Sequence, residues 1–311
     1  MALEIRKAQR RKAKLRLALL GPTGSGKTMS ALKLAFGIGG KVGVIDTENG
    51  SADLYAHLGE YDVITLGKPY TVQKYREAID AFEQAGYDTI IVDSLTHAWA
   101  GDGGLLAKQG QVEKRVGNSF AAWREITPDH NALVEAMLSS PCHVIGTMRV
   151  KTEYVLEEND RGKKVPRKVG LQPVQRDGME YEFTVVMDVD ADHKASASKD
   201  RTTLFAGWYD TISEETGRKL RDWLETGAAP LPSTLPILAP DASLKQVPTG
   251  AWLAAVRKAV GLMESAEALR AWHEAMAPHM KTVAAVNAAW AAEAEGEIAT
   301  RAEQLEQKEA A

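Results

Sequence analysis

The sequence predicts an α/β protein with a mostly parallel central sheet and a small helical region after it. Over the first 150 residues, apolar runs of strand length alternate with segments of helical periodicity, which is typical of α/β folds. The run YDTIIVDS (87–94) is continuously apolar, as expected for a parallel strand covered on both faces. A proline-rich stretch at 228–248 precedes alanine-rich segments, so a second, helical region is expected.

Each element is predicted from its own pattern. Strands are expected at short apolar runs bounded by turn residues, at 15–20, 42–46, 62–66, 87–94, 142–148, 182–190 and 201–208. Helices are expected at 29–38, 71–85 and 128–139, and in the second of these the apolar repeat consists of Val72, Tyr75, Ile79 and Phe82. The glycine-bearing segment 101–118 and the polar segment 150–180 are interpreted as loops.

Four segments follow from these elements. A basic helix is predicted over residues 1–14, because seven Lys or Arg lie between Arg6 and Arg16 without Gly or Pro. It is either a solvated helix face or a nucleic-acid contact. The core spans 15–227, a linker 228–248 and a C-terminal helical region 249–311, whose charged end is expected to fray.

Composition limits the class of protein. The 311 residues carry a net charge of -4, which argues against a generally basic DNA-coating protein and requires a local charge for any nucleic-acid contact. The single cysteine, Cys142, excludes an intramolecular disulfide and is expected to be a buried thiol. No apolar run approaches 18 residues, and no signal peptide is recognisable. The expectation is a cytoplasmic protein without a membrane segment.

The sequence GPTGSGKT (21–28) lies between the first predicted strand and the first helix. It matches G-x-x-x-x-G-K-[ST], in which backbone N–H groups and a helix N-terminus surround the phosphates of ATP. Lys27 is expected to reach the β- and γ-phosphates, and Thr28 to bind Mg²⁺. The predicted nucleotide-binding residues are Gly21, Pro22, Thr23, Gly24, Ser25, Gly26, Lys27, Thr28 and Met29.

A P-loop ATPase also needs an acid at the end of a neighbouring apolar strand, where the carboxylate holds Mg²⁺. Asp93 ends the run TIIVD, but residue 94 is Ser, where many ATPases have a catalytic glutamate. A water-activating base must then come from elsewhere. Glu48, after the strand VGVID (42–46), is the candidate, and Asp46 is expected to support it. A ribose-binding acid and a solvated turn are the alternatives for this pair, although the loop ahead lacks the G-x-G-x-x-G pattern of dinucleotide folds.

The stretches IDTENGSADLYA (45–56) and IIVDS (90–94) resemble the core of the RecA-type recombinases. GPTGSGKT, DSLTHAW, SPCHVIGTMRVKTEYVLEEN and SKDRT resemble, more closely, a family of phage-encoded RecA-like ATPases that includes single-strand annealing recombination proteins. This resemblance covers about residues 5–210. It implies a RecA-like P-loop core, Glu48 as the base and Asp93 as the Walker B aspartate.

The resemblance also implies further site residues. Thr147 lies where recombinases have a γ-phosphate sensor, usually glutamine, so the switch between nucleotide and DNA could instead work through Arg149. Lys199 and Arg201 match paired basic residues that reach a neighbouring subunit's ATP. Segments 101–118 and 150–180 occupy the places of the first and second DNA-binding loops.

The charge of residues 149–176 favours DNA, because eight Lys or Arg against four Asp or Glu leave a local charge of +4. Tyr154 is a candidate for stacking on a base. A solvated, partly disordered loop is the alternative. The predicted DNA-binding residues are Arg149, Lys151, Tyr154, Arg161, Lys163, Lys164, Arg167 and Lys168.

The sequence therefore predicts an ATPase, with ATP and Mg²⁺, that binds and anneals single-stranded DNA and is stimulated by it. The resemblance implies a homo-oligomer, filament or ring, with ATP at subunit interfaces, in the bacterial host cytoplasm. A single-strand binding protein is a possible partner of the C-terminal helices, whose apolar faces are more simply expected to pack internally. A hexameric helicase or motor and a nucleotide-gated DNA-binding module with little hydrolysis are the alternatives.

Overall fold

The computed structural model describes residues 8, 10–158, 164–227, 232 and 234–310, with the side chains of 152–170 and 310 outside the description. Two compact units divide the chain, one formed by residues 13–226 and the other by 1–12 with 227–311. No helix in the described ranges combines the length and apolar composition needed to cross a bilayer.

A nine-stranded sheet, counted over the described residues, forms the centre of the larger unit. Its strands are β1 (Arg16–Gly21), β2 (Val42–Asp46), β3 (Asp62–Thr65), β4 (Thr89–Asp93), β5 (His143–Glu158), β6 (Lys164–Pro173), β7 (Val185–Val189), β8 (Lys194–Asp200) and β9 (Tyr209–Thr211). The order is β3-β2-β4-β5-β1-β7-β8-β9, and β6 pairs with β5. The pairs from β3 to β7 are parallel, whereas β8, β9 and β6 are joined in antiparallel pairs.

Helices cover both faces of this sheet. They are α1 (Lys27–Ile38), α2 (Val72–Gln84), α3 (Leu95–Ala100), α4 (Leu105–Val116), α5 (Ser119–Ser139) and α6 (Glu214–Glu225). Alternate strand residues enter two cores: Leu17 and Leu19 pack with α1 and α6, and Ala18 and Leu20 with α2, α3 and α5. The predicted α/β class with a mostly parallel sheet is confirmed.

Close packing fixes α1, the helix that follows the phosphate loop. Gly37 of α1 and Gly217 of α6 meet so closely that a Cβ on Gly217 would lie 2.3 Å from the carbonyl oxygen of Leu34. The buried thiol predicted for Cys142 is confirmed.

The smaller unit has its own apolar core. It contains a hairpin of β10 (Thr234–Leu238) and β11 (Leu244–Pro248), and the helices α7 (Trp252–Gly261), α8 (Ala266–Val286) and α9 (Ala288–Ala310). The indole N–H groups of Trp252 and Trp272 donate to the carbonyls of Pro236 and Leu238, at 2.9 and 3.1 Å. The two tryptophans are buried, so the C-terminal helical region forms and these faces pack internally.

Several local predictions are wrong. Residues 10–15 contain no helix, and the remaining residues of the predicted basic segment are largely outside the described ones. Arg16 lies in β1, as predicted for the strand at 15–20, and is buried there; its guanidinium donates to the carbonyls of Leu138, Ser140 and Cys142, and burial lowers its pKa to about 10. The predicted linker contains the hairpin β10–β11. The charged end is helical, since α9 buries Ile298 and Leu305.

The segment 101–118, predicted as a loop, contains α4, and α5 begins at Ser119 rather than near 128, so that Pro128 lies inside it. The run 201–208 is not a strand. The carboxylate of Asp200 accepts from the backbone N–H groups of Thr202 and Phe205, which folds the chain into a turn just after β8. The described part of segment 150–180 is largely the β5–β6 hairpin rather than a loop.

Candidate nucleotide site

The phosphate loop connects the buried strand β1 to α1 at the carboxyl edge of the sheet. Gly24 and Gly26 have φ of 82° and 86°, a conformation that favours glycine, and the loop therefore curls ahead of the helix. The ammonium of Lys27 donates to the carbonyls of Gly21 and Pro22, at 2.9 and 2.8 Å. Burial lowers the pKa of Lys27. The loop thus has the shape and the charge of a phosphate cradle.

Asp93 lies at the end of β4, beside the loop, and is almost fully buried. Its two carboxylate oxygens accept hydrogen bonds from the hydroxyls of Thr28 and Thr147, each at 2.5 Å. Burial raises the pKa of Asp93, and these two hydrogen bonds oppose that rise. Asp93 is therefore directly joined to Thr28, its predicted partner in binding Mg²⁺.

Glu48 lies across the sheet edge from Lys27, just after β2. One of its carboxylate oxygens accepts from the hydroxyl of Ser94 at 3.0 Å, and the other is ion-paired with Arg149. Its backbone N–H donates to Asp46 at 2.6 Å. The serine after Asp93 thus contacts the acid proposed to replace the missing glutamate, and Asp46 supports the same turn.

Buried polar contacts hold β2 and β4 together behind Glu48. The hydroxyl of Thr47 accepts from the backbone N–H of Ser94 at 2.8 Å and is hydrogen-bonded to Nδ1 of His97 at 2.8 Å. The His97 ring stacks on Tyr70 with centroids 4.8 Å apart, and burial lowers the pKa of His97. These contacts fix the strand ends that carry Glu48 and Asp93.

Lys27, Thr28, Glu48 and Asp93 line one cleft of about 430 Å³. The cleft extends from the phosphate loop along α1 to Ser51 and Tyr55, which follow β2, and to Thr211 at the end of β9. Its lining consists of Thr23, Gly24, Gly26, Lys27, Thr28, Met29, Ser30, Lys33, Glu48, Ser51, Tyr55, Asp93, Arg149, His193, Thr211 and Ile212. Most of the predicted nucleotide residues, Glu48 and Asp93 are therefore brought together.

Two predicted residues take other positions. Thr147 is fully buried, is not part of the cleft lining and hydrogen-bonds Asp93, so it supports the acid predicted to bind Mg²⁺ rather than lining the cleft where a γ-phosphate is expected. Arg149, predicted among the DNA contacts, lines the nucleotide cleft and pairs with Glu48.

The remaining predicted DNA residues follow Arg149 along the hairpin. Lys151 is exposed on β5. Tyr154 lies on β5, and Lys164, Arg167 and Lys168 on β6, with Tyr154 opposite Lys168 in the pairing register. Arg161 and Lys163 lie outside the described residues. The side chains of Tyr154, Lys164, Arg167 and Lys168 are also outside the description. Contact with DNA stays a prediction.

Lys199 and Arg201 lie at the other end of the sheet from the phosphate loop. Arg201 is level with the start of β1, because its N–H donates to Thr184, whose own N–H donates to Arg16. Five residues of strand, about 16 Å, separate that level from Gly21. Lys199 donates to the carbonyl of Tyr181 at 2.5 Å. They do not contribute to this chain's own cleft, and action on a neighbouring subunit's ATP stays a prediction.

The sequence prediction missed His193, which lies in the turn between β7 and β8. Nδ1 of His193 is 3.1 Å from the carbonyl oxygen of Ser25, and a Cβ on Gly26 would lie 3.1 Å from the same nitrogen. Tyr55, Thr211 and Ile212 were missed as well. Tyr55 stands inside the stretch IDTENGSADLYA, a local signal, whereas the other three reach the cleft only through the antiparallel end of the sheet.

Residues 13–213 match the family model described as an AAA domain. The chain belongs to the AAA domain family. The match covers β1 to β9 and every residue of the cleft, so this AAA domain is a P-loop ATPase domain of α/β class, as predicted. No curated protein matches the chain.

The residues of this AAA domain fit ATP with Mg²⁺. Thr28 and Asp93 supply the oxygen atoms that Mg²⁺ prefers, together with phosphate oxygens and water. Within the described ranges, no group of three or more His, Cys, Asp or Glu could hold a metal by itself. Mg²⁺ would therefore be held jointly by Thr28, Asp93 and the nucleotide.

Proposed function

We propose that the protein is an ATP-dependent single-stranded-DNA binding and annealing protein of phage-type homologous recombination, and that it hydrolyses ATP at the Mg²⁺-dependent P-loop site. One observation carries the hydrolytic part: the hydroxyl of Ser94 holds the carboxylate of Glu48 at 3.0 Å, in the cleft that contains Lys27 and Asp93. The residues proposed as base, phosphate-binding cation and metal-binding acid therefore lie together at one edge of the sheet, which supports this proposal.

Each residue has a distinct role in this proposal. Lys27 neutralises charge on the β- and γ-phosphates, and Thr28 and Asp93 orient Mg²⁺, which polarises the phosphoryl oxygens. Glu48 accepts the proton of the attacking water. The partly buried cleft strengthens these electrostatic contacts relative to bulk water.

The DNA part is supported by the resemblance to RecA-like phage ATPases and by the local charge of +4 over residues 149–176. Strand β5 leads from the cleft directly into the hairpin that carries most of this charge. In the proposed assembly, protomers form a filament or ring with ATP between them, and Lys199 and Arg201 act on the neighbour. A single-strand binding protein is a proposed partner.

The test is ATP turnover with Mg²⁺ in the presence and absence of single-stranded DNA, paired with particle images of the assembly. We expect turnover to rise severalfold with single-stranded DNA, because the hairpin proposed to bind DNA continues from β5, which carries Arg149 into the nucleotide cleft. Lys27→Ala, which removes the phosphate-binding ammonium, is the control that assigns the hydrolysis to this site. If turnover rises only with double-stranded DNA and the particle images show closed rings, the protein is better described as a helicase or motor. If the protein binds ATP and DNA without turnover, it is better described as a nucleotide-gated DNA-binding module.

Affinity for single-stranded DNA is expected to fall steeply with salt, because bound phosphates release counterions. Each phosphate contact contributes about 0.7 to the slope of log affinity against log salt for single strands. We therefore expect neutral replacements of Arg161, Lys163, Lys164, Arg167 and Lys168 together to reduce the slope by up to about 3.5.

A matched variant neutralises five exposed basic residues outside the hairpin: Arg218, Lys219, Lys245, Arg257 and Lys258. Its slope should stay close to that of the wild type. Equal slopes for the wild type and the hairpin variant, measured by fluorescence anisotropy, would assign the DNA contact to another surface.

A further inference from the structure

The turn between β7 and β8 lies against the phosphate loop and brings His193 into the lining of the cleft. Nδ1 of His193 is 3.1 Å from the backbone carbonyl oxygen of Ser25. A Cβ on Gly26 would lie 3.1 to 3.9 Å from three atoms of the same ring. The imidazole therefore stands directly beside the phosphate loop.

The contact with Ser25 determines which ring nitrogen of His193 carries the proton. A backbone carbonyl oxygen can only accept a hydrogen bond, so Nδ1 is the donor. In the neutral imidazole the other nitrogen, Nε2, is then an acceptor. Within the part of the chain that the structure describes, Nε2 has no hydrogen-bond partner. His193 thus offers an unused acceptor in the lining of the cleft.

Side-chain contacts hold the turn that carries His193. The residue has φ of 63°, which is uncommon outside glycine. One carboxylate oxygen of Asp190 accepts from the backbone N–H groups of Asp192 and Lys194, at 2.9 and 3.0 Å. The other accepts from the hydroxyl of Tyr209 in β9 at 2.6 Å. Because these contacts order the turn, binding a ligand at the imidazole costs less conformational entropy.

The position of His193 along the cleft indicates which part of a nucleotide it meets. Lys27 and Thr28 are predicted to bind the phosphates and Mg²⁺, and the cleft extends from them along α1 to Thr211. His193 contacts the phosphate loop and shares the lining with Thr211, so it lies where the triphosphate joins the nucleoside. Phosphate oxygens accept hydrogen bonds and do not match an acceptor such as Nε2. The ribose, next to the α-phosphate, has hydroxyl groups that donate.

We propose that Nε2 of His193 accepts a hydrogen bond from a ribose hydroxyl of the bound nucleotide, so that the cleft selects ATP over the deoxynucleotide that lacks this hydroxyl. This inference rests on the proposed ATPase function and adds a specificity-determining residue to its site.

The experiment compares wild type and His193→Asn by calorimetry with ADP, 2′-deoxyADP and 3′-deoxyADP, in Mg²⁺ and without DNA. The diphosphates are used because they are not hydrolysed during the titration. Asparagine tolerates a positive φ, and its side-chain amide can replace Nδ1 as donor to Ser25, but it has no counterpart of Nε2. The substitution therefore removes the proposed ribose contact and keeps the contact with the loop.

We expect the wild type to bind ADP about fivefold more tightly than the analogue that lacks the contacted hydroxyl, as for the loss of one neutral hydrogen bond. In His193→Asn the three diphosphates should bind within about twofold of one another. The matched control, His279→Asn, makes the same replacement in α8, outside the cleft lining. It should keep the wild-type preference.

Two results would overturn this inference and leave the proposed function intact. One is a wild type that binds ADP and both deoxy analogues equally well. The other is a His193→Asn protein whose affinities for all three fall by the same factor, or not at all, because an unchanged preference would mean that His193 supports the loop or contacts a phosphate. A wild type that binds neither ADP nor ATP would remove the proposed function along with the inference.

Discussion

Replacing Glu48 with glutamine is expected to lower ATP turnover by about 10³-fold, within the range for loss of a general base. Glutamine has the same size and can still accept the Ser94 hydroxyl, which now lies 3.0 Å from Glu48, so the loop should keep its shape. Affinity for Mg²⁺ and ATP should be retained, because the side chains predicted to bind them, Lys27, Thr28 and Asp93, are unchanged. Single-turnover kinetics and calorimetry separate the two effects.

The control for this prediction is Glu60→Gln, an exposed glutamate between β2 and β3. It removes the same charge away from the cleft lining, and its turnover should match the wild type. If Glu48→Gln turns over ATP within twofold of the wild type, proton transfer belongs to another group and Glu48 has only a structural role.

Asp93→Asn is expected to reduce turnover by about 10³-fold and to abolish the dependence of nucleotide affinity on Mg²⁺. Asp93 is the acid joined to Thr28 at the end of β4, and metal-assisted charge stabilisation contributes several kcal/mol. Titration of Mg²⁺ against ATP affinity measures the effect. Asp80→Asn, exposed on α2, is the control. A variant that still responds to Mg²⁺ would exclude Asp93 as a metal ligand.

The same substitution should raise the stability of the metal-free protein at neutral pH. Burial raises the pKa of Asp93, so the folded state favours its protonated form more than the unfolded state does. The stability contributed by protonating Asp93 is therefore fully present below the unfolded pKa of about 3.8. It is lost as the pH rises through the higher pKa of the folded state. The difference in melting temperature between Asp93→Asn and the wild type should shrink as the pH is lowered toward 4.

The parts of the site that are local in sequence were predictable. The phosphate loop has a fixed pattern between a strand and a helix, and the serine at position 94 implied that the base stands elsewhere. The contact between Ser94 and Glu48 agrees with that reasoning, because carboxyl ends of parallel strands meet at one edge of the sheet.

Residues that depend on tertiary pairing were not predictable in the same way. Charge counting groups Arg149 with the basic residues that follow it, and only the register of β5 against β1 brings it to the phosphate loop. His193 reaches the loop through a turn between antiparallel strands, which has no local signal. Helix α4 was missed because its glycine-bearing sequence buries few apolar residues, mainly Leu105 and Val112.

Arg149 stands where β5 ceases to pair with β1 and continues with β6. Its side chain contacts Glu48 in the cleft, and its carbonyl accepts the N–H of Val174, just beyond the end of β6. The cleft and the hairpin thus share Arg149, which joins binding of ATP in the cleft to binding of a ligand by the hairpin. Any such coupling acts equally in both directions. If ATP changes the affinity of the hairpin for a ligand by some factor, that ligand must change the affinity for ATP by the same factor.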